Sequence, residues 1–160
     1  CGQGQGCYEQ SLREVFACMM VSLISPGMVA QTIPGLLPLL TKSQEWTRGR
    51  ATVDDILRFV FNGQMQLWIG HEEGKIYGHV ITEVKDYPRR RMLVVQYCAM
   101  EPSHMQYMDD DIFDLLNRFA KDAGCSGIEF VGRPGWRKQA DKYGFEVQSV
   151  VYQKFFKEET

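Results

Sequence analysis

The chain has 160 residues, 18 of them Lys or Arg and 20 Asp or Glu, for a formal net charge of −2. With 44% hydrophobic and 24% charged residues it has the make-up of one ordinary globular domain of about 150 residues, not of a disordered chain. The near-neutral balance argues against a general nucleic-acid coat, which needs a basic excess to displace counterions from phosphates.

The N-terminus opens on a Gly/Gln-rich lead flanked by Cys1 and Cys7. Behind it Tyr8, Leu12, Val15, Phe16, Met19 and Leu23 recur at spacings of three and four, which predicts one apolar helical face. Residues 1–24 therefore read as an N-terminal extension with an amphipathic helix, and residues 25–160 as a single domain. That helix lacks the basic residues of a membrane-surface anchor, so it is expected to dock on the core or across a homodimer. The longest nearly apolar run, residues 15–24, includes Ser22 and falls short of the roughly 20 residues that cross a bilayer. No membrane span is expected. Between residues 25 and 41, Pro26, Gly27, Pro34, Gly35 and Pro38 predict turns and short helical pieces.

From Thr52 the order is clearer. Thr52 to Asp55 resembles a capping box, and Val53, Ile56, Leu57, Val60 and Phe61 hold a helical period up to Gly63. Residues 64–71 alternate, and Glu72-Glu73-Gly74-Lys75 leads into a strand over 76–84, which reads as a hairpin. A second hairpin turns through Asp86-Tyr87-Pro88-Arg89-Arg90-Arg91 into residues 92–100, a strand apolar on both faces apart from Gln96, as a central strand should be. From Asp109, Ile112, Leu115, Leu116, Phe119, Ala120 and Ala123 form a helical stripe that Gly124 stops. A strand over 127–131, a short helix over about 136–143 ended by Gly144, and a long strand over 145–156 complete the chain. The fold class expected is α+β, an α/β-mixed layer sandwich.

That order, with the closing stretch from Gly132-Arg133-Pro134-Gly135-Trp136 to Gly144-Phe145, resembles the GNAT N-acetyltransferase family over residues 36–156. The Gly132 to Trp136 variant also resembles acetyltransferase-like proteins encoded among bacteriophage structural genes, including an internal virion protein. The resemblance implies a mostly antiparallel sheet splayed between its fourth and fifth strands, here 92–100 and 127–131, with acetyl-CoA in the splay. It implies cofactor contacts at Tyr97, Cys98, Ala99 and Met100, and at Gln106, Tyr107 and Met108 in the turn that opens the next helix.

The family's pyrophosphate turn carries glycines that let the backbone approach the anion at a helix N-terminus. The corresponding turn here, residues 101–111, has none: Met108 and Asp110 fall at the two glycine positions, with Asp109 and Asp111 beside them. Three carboxylates at a helix start would repel a phosphate. The family's Tyr, four residues before the Gly of Gly-Phe, is replaced by Ala140; Tyr143 is the candidate proton donor, with Tyr107 behind it. For the base that takes the acceptor's ammonium proton, Glu83, Glu129 and His104 are available, with Glu129 on the strand that can face the splay.

His71, His79 and His104 lack metal-ligand spacing, and the five cysteines, Cys1, Cys7, Cys18, Cys98 and Cys125, are odd in number without a C-x-x-C pair. No metal is expected, and a reducing compartment fits: cytoplasm, or host cytoplasm or virion for a phage product. Arg89 to Arg91 read as a solvated turn, so nucleic acid is not an expected partner. Two functions follow: acyl transfer from acetyl-CoA to a small-molecule or peptide amine, or a non-catalytic virion or assembly role with protein partners.

Overall fold

A computed structural model describes residues 19–156, with residues 106–110 described in their backbone only. The elements run β1 (Met20–Ile24), α1 (Val29–Trp46), α2 (Val53–Phe61), β2 (Gln66–Glu72), β3 (Lys75–Tyr87), β4 (Arg90–Met100), α3 (Met105–Asp122), β5 (Gly127–Phe130) and α4 (Arg137–Lys142). Single 3-10 turns at Pro26–Met28, Pro102–His104 and Pro134–Trp136 lead into α1, α3 and α4. The five strands form one sheet in sequence order, antiparallel except for the parallel β4–β5 pair. This is the α+β architecture expected.

Helices cover both faces. On one, Val29, Leu36 and Leu40 of α1 and Ile56 and Val60 of α2 meet Leu67, Ile69 and Ile81 of the sheet. On the other, Ile112, Leu116 and Ala120 of α3 meet Trp68, Val80 and Leu93. The two hydrophobic layers explain why β4 reads as apolar on both sides.

Two expectations hold closely. Thr52 caps α2, its hydroxyl accepting from Asp55 N at 3.2 Å while Asp55 Oδ2 accepts from Thr52 N at 3.0 Å. Glu73 and Gly74, with φ of 48° and 78°, make the two-residue turn whose twist suits a hairpin.

Others need correction. Leu23 is not on a helical face: Met20–Ile24 is an edge strand paired with β2, so the sheet takes in residues assigned to the extension, and residues 8–18 lie outside those described. The short apolar run fits a strand as well as a helix, and periodicity alone does not separate them. Residues 29–46 form one helix of 18 residues despite Pro34 and Pro38. Both prolines lie on its exposed side, where water can satisfy the freed carbonyls, and burial of Val29, Leu36, Leu39 and Leu40 offsets a cost of roughly 3 kcal/mol per proline. The second hairpin is tighter than expected, with Asp86↔Arg91 and Tyr87↔Arg90 paired and only Pro88 and Arg89 in the turn. Arg91 Nε and Nη2 donate to the Asp86 carboxylate at 2.6 and 3.1 Å, and its Nη1 donates to Ala123 O at the end of α3.

The expected strand over 145–156 is absent. Phe145 docks, its amide donating to Ala140 O at 2.9 Å and its ring lying 5.0 Å from that of Phe130. Residues 146–156 then run exposed without strand pairing. A strand needs a partner edge, and the adjacent edge, β5, is four residues long.

Candidate functional site: the open edge of β4

The β4–β5 ladder runs only from Met92↔Gly127 to Val95↔Phe130. Beyond it β4 continues to Met100 still paired with β3, while the chain after Phe130 turns away through Val131, which is 83% exposed. The edge of residues 96–100 that faces away from β3 is therefore left without a strand partner, the splay the resemblance implies. The divergence starts at a bulge: Ile81 opposes Tyr97 and Thr82 opposes Val95, leaving Gln96 as the extra residue. A bulge bends the strand and re-aims its peptide groups.

Cys98 lies on the floor of this opening. Solvent reaches it, yet enough protein surrounds it that burial pushes its thiol pKa up, against the pull of the Arg133 guanidinium. Arg133 stacks on the Trp46 ring at 3.7 Å, joining the end of α1 to the segment that leaves β5. Gly132 in that segment has no room for a side chain: a Cβ would come 2.8 Å from the Phe130 ring and 3.3 Å from Trp136.

Carboxylates line the sheet face under α1 and α2. Glu83, Val94 and Glu129 are in register across β3, β4 and β5 and so point to one face. Glu83 Oε2 accepts from Gln96 Nε2 at 2.7 Å, and Glu129 Oε1 accepts from the Tyr87 hydroxyl at 2.6 Å. That hydrogen bond, then burial, then the Glu129 and Glu83 charges hold the Tyr87 hydroxyl above the ordinary phenol range. Tyr97 is raised too, by burial first and then by Asp55 and Glu83.

At the far end of β4, Glu101 N donates to Tyr77 O at 2.8 Å. His104 is held by Ser103 Oγ at 2.8 Å from Nδ1, by Glu72 Oε2 at 3.3 Å from Nε2, and by stacking on Tyr77 at 3.6 Å. It caps the end of the cleft; five residues of strand, roughly 16 Å, separate Glu101 from the Gln96 bulge. α3 begins at Met105 with no acidic residue in its first turn. This corrects the expectation of three aspartates at the helix start: Asp109, Asp110 and Asp111 fall a full turn inside it.

Tyr143 joins an aromatic cluster behind β5. Its ring stacks on Phe113 at 4.2 Å, and its hydroxyl accepts from Lys142 Nζ at 3.1 Å. Of the candidates from sequence, the structure brings Tyr97, Cys98, Ala99, Met100 and Glu129 onto adjoining strands. It sets His104 at the turn and Tyr143 among packed rings. The side chains of Gln106, Tyr107 and Met108 lie outside those described. Glu83 is part of the carboxylate face, and Gln96 and Tyr87, which hold Glu83 and Glu129 respectively, were not singled out from sequence as site residues. Glu83 stands opposite Val94 and Val94 opposite Glu129, because the ladder is regular from the turn to Thr82↔Val95 and the bulge lies beyond it. Among the described residues no three His, Cys, Asp or Glu side chains come together to hold a metal, and no helix is long and apolar enough to cross a membrane.

No protein-family model matches the sequence, and no curated protein is similar to it. Solved structures are. The chain is similar to an aminoglycoside N-acetyltransferase in complex with CoA, with a TM-score of 0.65 and 15% identity over 85% of this chain and 94% of that one. It is similar to a predicted acetyltransferase with acetyl-CoA from Clostridium acetobutylicum, with a TM-score of 0.64 and 16% identity over 86% and 96%. A ribosomal-protein-alanine N-acetyltransferase from Brucella melitensis matches with a TM-score of 0.66 and 14% identity over 87% and 99%. The sheet order, the parallel β4–β5 pair and the splay are those of the GNAT acetyltransferase fold.

Proposed function

We propose that the protein transfers a short acyl group from acetyl-CoA to a small-molecule or peptide amine. The observation that carries this reading is the unpaired edge of β4 over residues 96–100 beside the Glu83 and Glu129 carboxylates. An extended chain of amides adds to such an edge as a further strand would, so the backbone of Tyr97, Cys98, Ala99 and Met100 suits the pantetheine arm. The first-turn amides of α3, from Met105 through Gln106, Tyr107 and Met108, lack intrahelical acceptors and suit the phosphates. When bound, acetyl-CoA supplies an activated thioester.

The chain's own groups have separate tasks. Amides re-aimed at the Gln96 bulge donate to the carbonyl oxygen as charge develops there. Glu129, half-buried and fixed by Tyr87, takes a proton from the acceptor's ammonium directly or through one water. Glu83, fixed by Gln96, adds to the negative potential that draws the cation in. His104 ties the turn to the β2–β3 hairpin.

Isothermal titration with acetyl-CoA, and separately with an acetyl-pantetheine lacking the nucleotide phosphates, tests the reading. Micromolar binding of acetyl-CoA, about −8 kcal/mol, is expected. No binding of either at millimolar concentration refutes it. A second reading, a non-catalytic virion or assembly protein of phage origin on the same fold, is favoured by the glycine-free turn and by Ala140 at the family's tyrosine position; it takes over on that negative result.

A further inference from the structure

Cations crowd the mouth of the β4–β5 opening. Trp46 ends α1, and its ring, 56% exposed, carries the Arg133 guanidinium at 3.7 Å. Just beyond Trp46 the chain turns through Arg48 and Gly49, whose φ of 52° and 80° are left-handed, a conformation that costs an arginine but not a glycine. Buried Thr47 closes this turn, its hydroxyl donating to Ala51 O at 3.0 Å and accepting from Ala51 N at 3.3 Å. Arg48 and Arg50 are thereby held exposed within four residues of Trp46. Arg137 and Lys138 add two more charges at the start of α4, the end of a helix that disfavours cations. Residues 45–50 and 133–138 together hold five cations and one carboxylate, Glu45, in a chain whose formal net charge is −2.

These charges are not spent inside the protein. Lys42, Arg58 and Arg91 each have a carboxylate partner, whereas among the described residues Arg48, Arg50 and Arg133 have none. Against the Trp46 ring face, the Arg133 guanidinium keeps N–H groups along its edge for paired hydrogen bonds to a carboxylate. Its charge also reaches the opening itself, where it is felt by the Cys98 thiol.

A molecule entering here meets both signs, with Glu83 and Glu129 on the sheet face and the arginines at the mouth. Four residues of chain, at most about 14 Å, separate Glu129 from Arg133, which is the reach of a short peptide. Building on the acyl-transfer reading above, we propose that the acceptor is an amine that also carries a carboxylate, an amino acid or a short acidic peptide, with the carboxylate on Arg133 and the ammonium toward Glu129. Arg48 and Arg50 strengthen the field that draws the anion in, and the same field turns a polycation away.

Acetyl transfer by the full chain, followed as release of the CoA thiol, is compared for alanyl-glutamate, its carboxylate-free analogue alanyl-glutaminamide and the polycationic aminoglycoside sisomicin. The kcat/KM for alanyl-glutamate is expected to be at least tenfold above each of the others, with the margin shrinking in about 0.5 M NaCl. Arg133→Gln is expected to bring the two dipeptides within a factor of two of each other, through KM and not kcat, and to leave the affinity for acetyl-CoA unchanged. Arg133→Lys keeps the charge without the planar fork and should retain part of the margin, and the double variant Arg48→Gln/Arg50→Gln should reduce it. All three arginines are exposed, so the fold should be unaffected. Equal kcat/KM for the two dipeptides, a preference for sisomicin, or a margin that survives in Arg133→Gln overturns the proposal and leaves acyl transfer standing. So does a fall in acetyl-CoA affinity in Arg133→Gln, which would give that residue to the cofactor. Binding of acetyl-CoA without transfer to any of the three amines also overturns the proposal, and failure to bind acetyl-CoA removes it together with the reading on which it rests.

Discussion

His79 gives the sharpest test of the core beneath the site. It lies in β3 between Ile69 and Ala99, fully buried, with Nε2 3.0 Å from Ser43 Oγ and 3.4 Å from Leu39 O. Its Nδ1 has no partner. Burial holds its pKa down at about 4, against 6.5 in the open chain, with the Leu39 carbonyl pulling weakly the other way. The unfolded chain therefore takes up the proton first as the pH falls. The stability this residue contributes is complete above pH 6.5 and is lost between 6.5 and 4. At about 1.36 kcal/mol per unit the full loss is about 3 kcal/mol, of which about 2 kcal/mol has gone by pH 5. Urea unfolding of wild type and His79→Leu at pH 7.5 and pH 5.0 isolates it, because in the variant the Ser43 hydroxyl can turn to the carbonyl four residues back in its own helix. Asp55 and Asp86, both lowered from 3.8 by hydrogen bonds first, lose their contributions only as the pH falls below 3.8, outside this window. Equal pH dependence in the two proteins refutes the reasoning.

Thr52→Ala removes the hydroxyl half of the capping box at α2, leaving the backbone N–H of residue 52 on Asp55, and is expected to lower stability by about 1 kcal/mol, read by thermal unfolding, with Thr52→Ser restoring most of it. If acyl transfer is the activity, Glu129→Gln is expected to lower kcat by about 10² to 10⁴ while leaving acetyl-CoA affinity within a factor of two. Tyr143→Phe, which keeps the stack on Phe113, is expected to leave kcat within a factor of two. A large kcat loss in Tyr143→Phe would instead assign it the leaving thiolate's proton.

What could be read from the sequence was what repeats locally. The capping box at Thr52, the Glu73-Gly74 turn, the α3 stripe ended by Gly124 and the apolar β4 each declare themselves within a dozen residues. β1 did not, because four apolar residues around Ser22 fit a strand as well as one face of a helix, and only the pairing with β2 decides. α1 did not, because whether a helix survives two prolines depends on which face they take, a tertiary fact. At the site, it was the family resemblance that placed Tyr97 to Met100 and Glu129 on neighbouring strands. The bulge at Gln96 has no sequence signature, and with it went the contact of Gln96 with Glu83.

The glycine-free turn carries a different electrostatic weight once α3 is seen to start at Met105. Pro102 opens the 3-10 turn, and His104, pinned by Ser103, Glu72 and Tyr77, fixes where the helix begins. Asp109 lies four residues after Met105, which sets it about 6 Å further along the axis. Two like charges 4 Å apart at an effective dielectric of 20 repel by about 4 kcal/mol. A charge set further from the helix start repels less, in inverse proportion to its distance, and salt screens it further. The aspartates therefore do not by themselves bar a phosphate from the first-turn amides. What decides is whether the backbone of residues 105–108 can come close without glycine, and the difference in affinity between acetyl-CoA and acetyl-pantetheine measures that directly. An affinity for acetyl-CoA at least tenfold higher would mean that the amides reach the phosphates; equal affinities would leave the β4 edge as the whole of the binding site.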